Sequence, residues 1–271
     1  MTLRPSFWLS VETIHHVVYF SPDSKATFEE VGLKGYWMGY MASRSVALGT
    51  PGPEVVVAAF HGFAPRLVHR ALPAAWSMAA RDDILAARYG LARATIGPGV
   101  AGVDLATLAA GLQAALPGLD LAGRPLAAGH VGLPVPEDDL GAMWHAATAL
   151  REYRGDSHVA VLTAAGIDGV QANVLAQAAG LTPPGQQHLR GWTDEEWAAG
   201  ATVLRERGWI DEAEAITPAG AEARARIEAD TDRSTLAGIS PTALEHLASV
   251  ADLAKAASKG ISASGADPFG H

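Results

Sequence analysis

The densest potential for chemistry lies in one short stretch that holds Arg151, Arg154, Asp156 and His158. On a helix, residues three apart share a face, so the guanidinium groups of Arg151 and Arg154 could together grip a carboxylate or phosphate. Asp156 and His158 follow directly, and an Asp–His pair can fix an imidazole tautomer for general-base work. A plainer reading has Asp156 capping a helix Ser157–Ala165, with Arg154 paired to it or to Glu152. Upstream, the imidazole of His15 or His61 could move a proton, or in an apolar slot serve as an axial haem ligand. The sequence requires no cofactor. His15 and His16 are neighbours and cannot act as a two-histidine ligand set, so no metal is expected. Tyr19, Tyr40, Arg44 and Trp76 complete the candidate binding residues. The aromatic set Tyr19, Phe20, Tyr36, Trp37, Tyr40, Phe60 and Phe63 suits either a binding slot or plain core.

Several chemistries are excluded. The chain has no cysteine, which removes thiolate nucleophiles and sulfur-ligated zinc. It has no His-Glu-x-x-His, phosphate loop or nucleophile elbow. The run Gly97-Pro-Gly99-Val-Ala-Gly102 has the wrong glycine spacing for a dinucleotide fold. With 271 residues, 49% hydrophobic and 18% charged, the chain can bury a large core and is not a disordered polymer. No apolar run reaches the roughly 18–20 residues of a membrane helix, and Met1 to Val11 lacks the basic-then-apolar order of a secretory signal. A cytoplasmic protein is the expectation.

The elements that must position these residues read as helices. Ser24 opens one that runs through Phe28 into Tyr36, Trp37 and Tyr40, with Gly32, Gly35 and Gly39 on one face. Each glycine costs about 1 kcal/mol in a helix interior, so a close neighbour should offset them. Pro53 opens Pro53–Phe63, Arg66–Leu72 follows, and Arg81–Ile96 is amphipathic. Residues 97–136 are rich in Gly, Pro and Ala, with a helix Leu105–Leu116 and an extended piece Leu126–Val135. A helix from Asp138 ends near Gly155. Then come Ser157–Ala165, Asp168–Ala179, Asp194–Arg207 capped by Thr193 and stopped by Gly208, an alternating hairpin Trp209–Thr217, and Ala219–Arg233. Three helices, a two-stranded wing and a helix make the order of a winged helix-turn-helix. Beyond Ser249 no apolar period is visible, which predicts a disordered tail. The expected fold is mainly α: a helical domain over residues 1–135 packed on a winged-helix domain over 136–236 with a small β wing, then residues 237–271 as a short helix and the tail.

The chain resembles the SalK-like helix-turn-helix proteins of actinomycetes, often found near natural-product gene clusters. The stretches that carry the resemblance are Glu12–Pro22, Gly32–Tyr40 with Arg44 and Gly49, and Phe60–Pro65 with Pro73 and Trp76. They continue with Leu150–His158, Arg190-Gly191-Trp192 with Trp197, and Glu228–Arg233. The resemblance implies a helix-turn-helix architecture and a setting in specialised metabolism, but no shared activity. His61 and Ser157 depart from its pattern.

Charge argues against a reader of DNA. Residues 1–140 carry ten Lys/Arg against twelve Asp/Glu, residues 141–236 eight against fourteen, and the rest two against three, within a total of −9. The expected recognition helix opens with Asp194-Glu195-Glu196, and its arginines, Arg205 and Arg207, lie roughly 15 Å further along. The wing carries Asp211, Glu212 and Glu214. Specific DNA binders neutralise several phosphates, and like charges in a partly desolvated groove cost several kcal/mol. The acids at 194–196 could instead serve the helix dipole, with Asp168–Ala179 as reader, but that helix has no Lys or Arg. The expected function is therefore a small-molecule binder or biosynthetic enzyme with a pocket between the two halves. There Arg44, Arg151 and Arg154 would hold an anion, and His15, His61 or His158 with Asp156 would handle protons. The alternatives are a ligand-responsive regulator whose homodimer supplies the DNA contacts, and a protein-interaction adaptor that exposes an apolar patch.

Overall fold

The computed structural model describes Leu3, residues 5–182 and residues 185–267. Helical periodicity dominates the chain and the fold follows it, with no β-strand among the described residues. The first layer comprises α1 (Pro5–Phe20), α2 (Ser24–Glu30) and α3 (Gly35–Ser45). The single helix expected from Ser24 to Tyr40 is broken, because Gly32 and Gly35 adopt φ +100° and +73° and form the turn between α2 and α3. Gly39 stays helical and takes a close neighbour, since a Cβ there would lie 2.9 Å from Cβ of Phe28.

Prolines open α4 (Pro53–Phe60) and α5 (Pro65–Ala71), where a missing N–H costs nothing. The short α6 (Ala75–Met78) leads to α7 (Arg81–Val100) and α8 (Leu105–Ala115). The extended segment expected at Leu126–Val135 is instead α9 (Pro125–Val131), opened by proline and followed by a turn.

The next helix, α10 (Asp139–Ala164), is the longest, with 26 residues. It passes through Gly155 without a break, so no helix begins at Ser157 and Asp156 caps nothing at that point. Then follow α11 (Gly169–Ala178), α12 (Gln186–Leu189), α13 (Asp194–Glu206), α14 (Pro218–Ala237), α15 (Pro241–Ser249) and α16 (Ala251–Ala263). The disorder expected beyond Ser249 is thus corrected as far as residue 267, with residues 268–271 outside the described residues: α16 is an amphipathic helix that buries Ala254, Ala257 and Ile261 against α1 and α7. The expected two-stranded wing is also corrected. Between α13 and α14 there is one antiparallel bridge, Ile210 with Ile216, closing a turn through Glu214 at φ +60°. Two backbone bonds flank it, Asp211 N–H to the Ala215 carbonyl at 2.9 Å and Thr217 N–H to the Trp209 carbonyl at 3.0 Å, and pairing goes no further outward because Thr217 already caps α14.

Buried side chains form two clusters. The larger joins α1, α3, α7, α8, α9, the first turns of α10, α15 and α16, around Ile14, Met41, Ile96, Leu108, Trp144 and Leu247. The smaller joins the end of α10 with α11, α13 and α14 around Leu162, Val174, Leu175, Trp197, Leu204 and Ile227. The α10 helix contributes to both.

Candidate ligand-binding site

At the centre of the larger cluster Glu152 is fully buried on α10. Arg44 donates to both its oxygens in a fork, Nε and Nη2 each at 2.9 Å. Arg151 Nη1 adds a third bond at 3.0 Å, while its Nε reaches Glu12 at 2.9 Å. Burial alone would raise the Glu152 pKa, but the two guanidinium groups outweigh it and hold the carboxyl well below its ordinary range. The partner effect appears at Arg44, held well above its ordinary value by Glu152 against the pull of burial. His15 lies beside them, its Nδ1 3.2 Å from Thr148 Oγ1 and its Nε2 3.9 Å from Glu152. Burial, then Arg151, push its pKa well down, so the imidazole is neutral.

Over this ionic floor lies a cleft of about 530 Å³ with aromatic walls: Tyr19, Tyr36, Trp37, Tyr40 and Phe63, with Phe20 at the rim. The rings brace one another, Tyr19 to Tyr40 at 5.1 Å, Trp37 to Tyr40 at 5.6 Å and Tyr40 to Phe63 at 5.4 Å between centroids. Tyr36 donates its hydroxyl to the Tyr19 carbonyl at 3.0 Å, which ties α3 to the end of α1. The fourth side comes from the segment between α11 and α13, through Leu181, Thr182, Gln186, Leu189 and Arg190.

Two arginines near this cleft have no carboxylate partner among the described residues. Arg190 stacks its guanidinium 4.2 Å from the Phe63 ring centre and hydrogen-bonds Tyr40. Burial, with Arg44 and Arg151 adding repulsion, lowers its pKa from the ordinary arginine value. Stacking supplies about 0.5–2 kcal/mol, less than the several kcal/mol that desolvating a charge costs. Deeper in, Arg88 is 1% exposed, bonds the Tyr19 hydroxyl and lies over Trp144 at 4.8 Å, with its Nε unpartnered.

A second cleft, also about 530 Å³, lies on the other side of the Glu12–Arg151 pair between α1, α10 and α14. Arg154 spans it to Glu228 at 2.8 Å and Asp232 at 2.9 Å. His158 Nδ1 lies 3.0 Å from Thr231 Oγ1, and burial pushes its pKa down to about 4.

The candidate residues from the sequence thus divide. His15, Tyr19, Tyr40, Arg44 and Arg151 line the aromatic cleft, while Arg151, Arg154 and His158 line the second. His61, Asp156 and Trp76 line neither. His61 ends α4 at φ +40°, its carbonyl so close to α11 that a Cβ on Gly169 would overlap it. Asp156 is turned to α9 and accepts from the Ala127 N–H at 3.0 Å, so it and His158, two apart on one helix, face opposite ways. Its carboxyl is pushed up to about 7, chiefly by burial. Trp76 donates to the Pro51 carbonyl at 2.9 Å. Sequence reasoning passed over Glu152, Glu12, Arg88 and Arg190 as site residues. Glu12, Glu152 and Arg190 carry a signal, their places in the stretches Glu12–Pro22, Leu150–His158 and Arg190-Gly191-Trp192, and Arg88 carries none.

The small cluster has helix-turn-helix geometry. The α11 and α13 helices pack across Gly200, where a Cβ would sit 3.1 Å from Val170. In place of a turn of about 3–4 residues, residues 179–193 lie between them in the sequence, and of these Leu181, Thr182, Gln186, Leu189 and Arg190 line the cleft. Thr193 and Glu196 close a capping box at the start of α13, and Glu196 is also gripped by both ends of the Arg66 fork at 2.7 Å. The exposed positions of α13 are Asp194, Glu195, Ala198, Ala199, Thr202 and Glu206, with no basic residue. Arg205 is turned to Glu214 at 3.2 Å, and Arg207 caps the end of α10 on the Gly166 carbonyl at 2.7 Å. The fold and this pair of helices define a helix-turn-helix scaffold. A helix-turn-helix family matches residues 4–268, and the chain belongs to that family. No curated protein and no solved structure matches it. No single helix among the described residues is long and apolar enough to cross a membrane, and none of their His, Asp and Glu side chains cluster as a metal site would require.

Proposed function

We propose that the protein binds a small molecule, as a binder or enzyme of specialised metabolism, and that its helix-turn-helix serves as scaffold and not as a reader of DNA. The observation that carries this reading is the aromatic cleft between the N-terminal helices and Leu181, Thr182, Gln186, Leu189 and Arg190. Its size lies within the range of ligand sites, and its walls combine ring faces with a few polar groups. The acidic outer face of α13 supports the second half of the proposal, since phosphates would meet carboxylates there. The SalK-like resemblance supports the metabolic setting.

A ligand-responsive regulator is the second reading. It is favoured by one feature: the segment that lines the cleft also joins α11 to α13, so a ligand would bear on both helices. Such a regulator would need a homodimer to assemble a basic surface.

Native mass spectrometry of the purified protein, with its visible spectrum, tests the proposal. The expected result is a retained small molecule that Tyr40→Ala releases while the fold persists. A clean apo mass, together with nanomolar binding to a defined operator and a steep salt slope, would overturn it.

A further inference from the structure

We infer that the ligand of the aromatic cleft is a planar aromatic acid whose ionised group pairs with Arg190. This rests on the reading of the cleft as a ligand site and adds the chemistry of what fills it.

The argument is one of charge balance. The floor is internally neutral: Glu152 and Glu12 answer Arg44 and Arg151 through four bonds of 2.9–3.0 Å that run from Arg44 Nε to Glu12 Oε2. His15, depressed by burial and by the arginines, adds no charge. Arg190 remains, half-buried on the Phe63 ring, with only a phenol as polar partner. Arg88, behind Tyr19, likewise lacks an acid and adds positive potential from below. An anion that enters the cleft therefore meets a field no protein carboxylate cancels, in surroundings where water screens it poorly.

A second donor supports the assignment. Thr182 lines the same cleft, and its hydroxyl oxygen is buried with no hydrogen-bond partner among the described residues. A carboxylate, with two oxygens, can take Arg190 in a fork and still accept from a hydroxyl. The rest of the wall selects the remainder of the ligand. Tyr19, Tyr36, Trp37, Tyr40 and Phe63 offer ring faces and edges to a flat apolar body.

Calorimetric titration with 2-naphthoate and with 2-naphthamide, the same ring without the charge, tests the inference. Wild-type protein should bind the acid at least about tenfold more tightly than the amide. In Arg190→Gln that preference should vanish through loss of acid binding, while amide affinity stays within about twofold, which also shows the cleft is still formed. Equal binding of both probes to wild type, or a preference that survives Arg190→Gln, overturns the ligand class and leaves the cleft standing as a site. Binding of neither probe at millimolar concentration overturns the ligand class, and with a clean apo mass it also overturns the reading of the cleft.

Discussion

Glu152 shows how a residue whose role no local pattern reveals can organise a site. It is one acid among 29 acidic residues, and its chief partner, Arg44, lies 108 residues away. Helical spacing puts Arg151 and Arg154 on one face, and both line the second cleft, but their guanidinium groups are taken by Glu12, Glu152, Glu228 and Asp232. Spacing therefore located the side chains and could not tell that their charge was spent. Removing Glu152 alone leaves Arg44 as a buried unpaired cation. Glu152→Ala should lose about 3–5 kcal/mol in urea unfolding, and an apolar replacement of both Arg44 and Glu152 should recover most of it. Titration gives a separate prediction. Burial depresses His145 and His158 to about 4, so the unfolded chain binds more protons than the folded one below its imidazole pKa near 6.5. Their contribution is fully present above that value and is lost as pH falls toward 4. Asp156, raised to about 7, works in the opposite sense, its contribution present below the ordinary Asp pKa and lost as pH rises through 7. Melting temperature should therefore climb from pH 4 to 6.5 in wild type, and Asp156→Asn should gain most at pH 8, where the buried carboxylate costs most.

Among the elements, α13 was the most legible. Thr193 as cap and Gly208 as stop bound it in the sequence, and the helix runs Asp194–Glu206 with its capping box in place. The last helix was the least legible, for a reason that lies in its packing. Where α16 crosses α7 the backbones touch: a Cβ on Gly260 would lie 2.0 Å from the Gly99 carbonyl oxygen. Helices that approach this closely need only small side chains between them, so Ala254 and Ala257 suffice beside Ile261, and an apolar period written mostly in alanine is easily taken for low-complexity sequence. Gly260→Ala should cost about 1–3 kcal/mol by overpacking, and Ile261→Ala about 2–5 kcal/mol by leaving a cavity. Both are measurable by denaturant titration, and no loss from either variant would mean the crossing is not formed in solution. The wing misled in the opposite way. Alternation over Trp209–Thr217 is real, but the pairing amounts to one bridge with two backbone bonds, held between the turn through Glu214 and the start of α14 at Thr217.

For the molecule as a whole, composition conveyed a helical fold and an acidic second half, and both bear on partners. A net charge of −9 with no basic residue on the exposed face of α13 offers few cations to displace the counterions condensed on DNA. Mixed-sequence duplex should show no mobility shift at physiological salt and micromolar protein, and a shift that disappears steeply with added salt would favour the regulator. The site as an assembled object was not legible, since its walls come from α1, α3, the turn after α4, α10 and the segment 179–193. No local pattern reports that those distant pieces meet.

The continuity of α10 bears on how the molecule comes apart. Its 26 residues extend about 39 Å at 1.5 Å per residue, and the hydrogen-bonded rod enters one cluster of buried side chains and leaves through the other. No exposed hinge along it invites a protease, and a cut within it would strip helix from both clusters at once. The two halves should therefore melt in one cooperative transition, and limited digestion should spare the region around Arg151 to His158 until the whole chain opens.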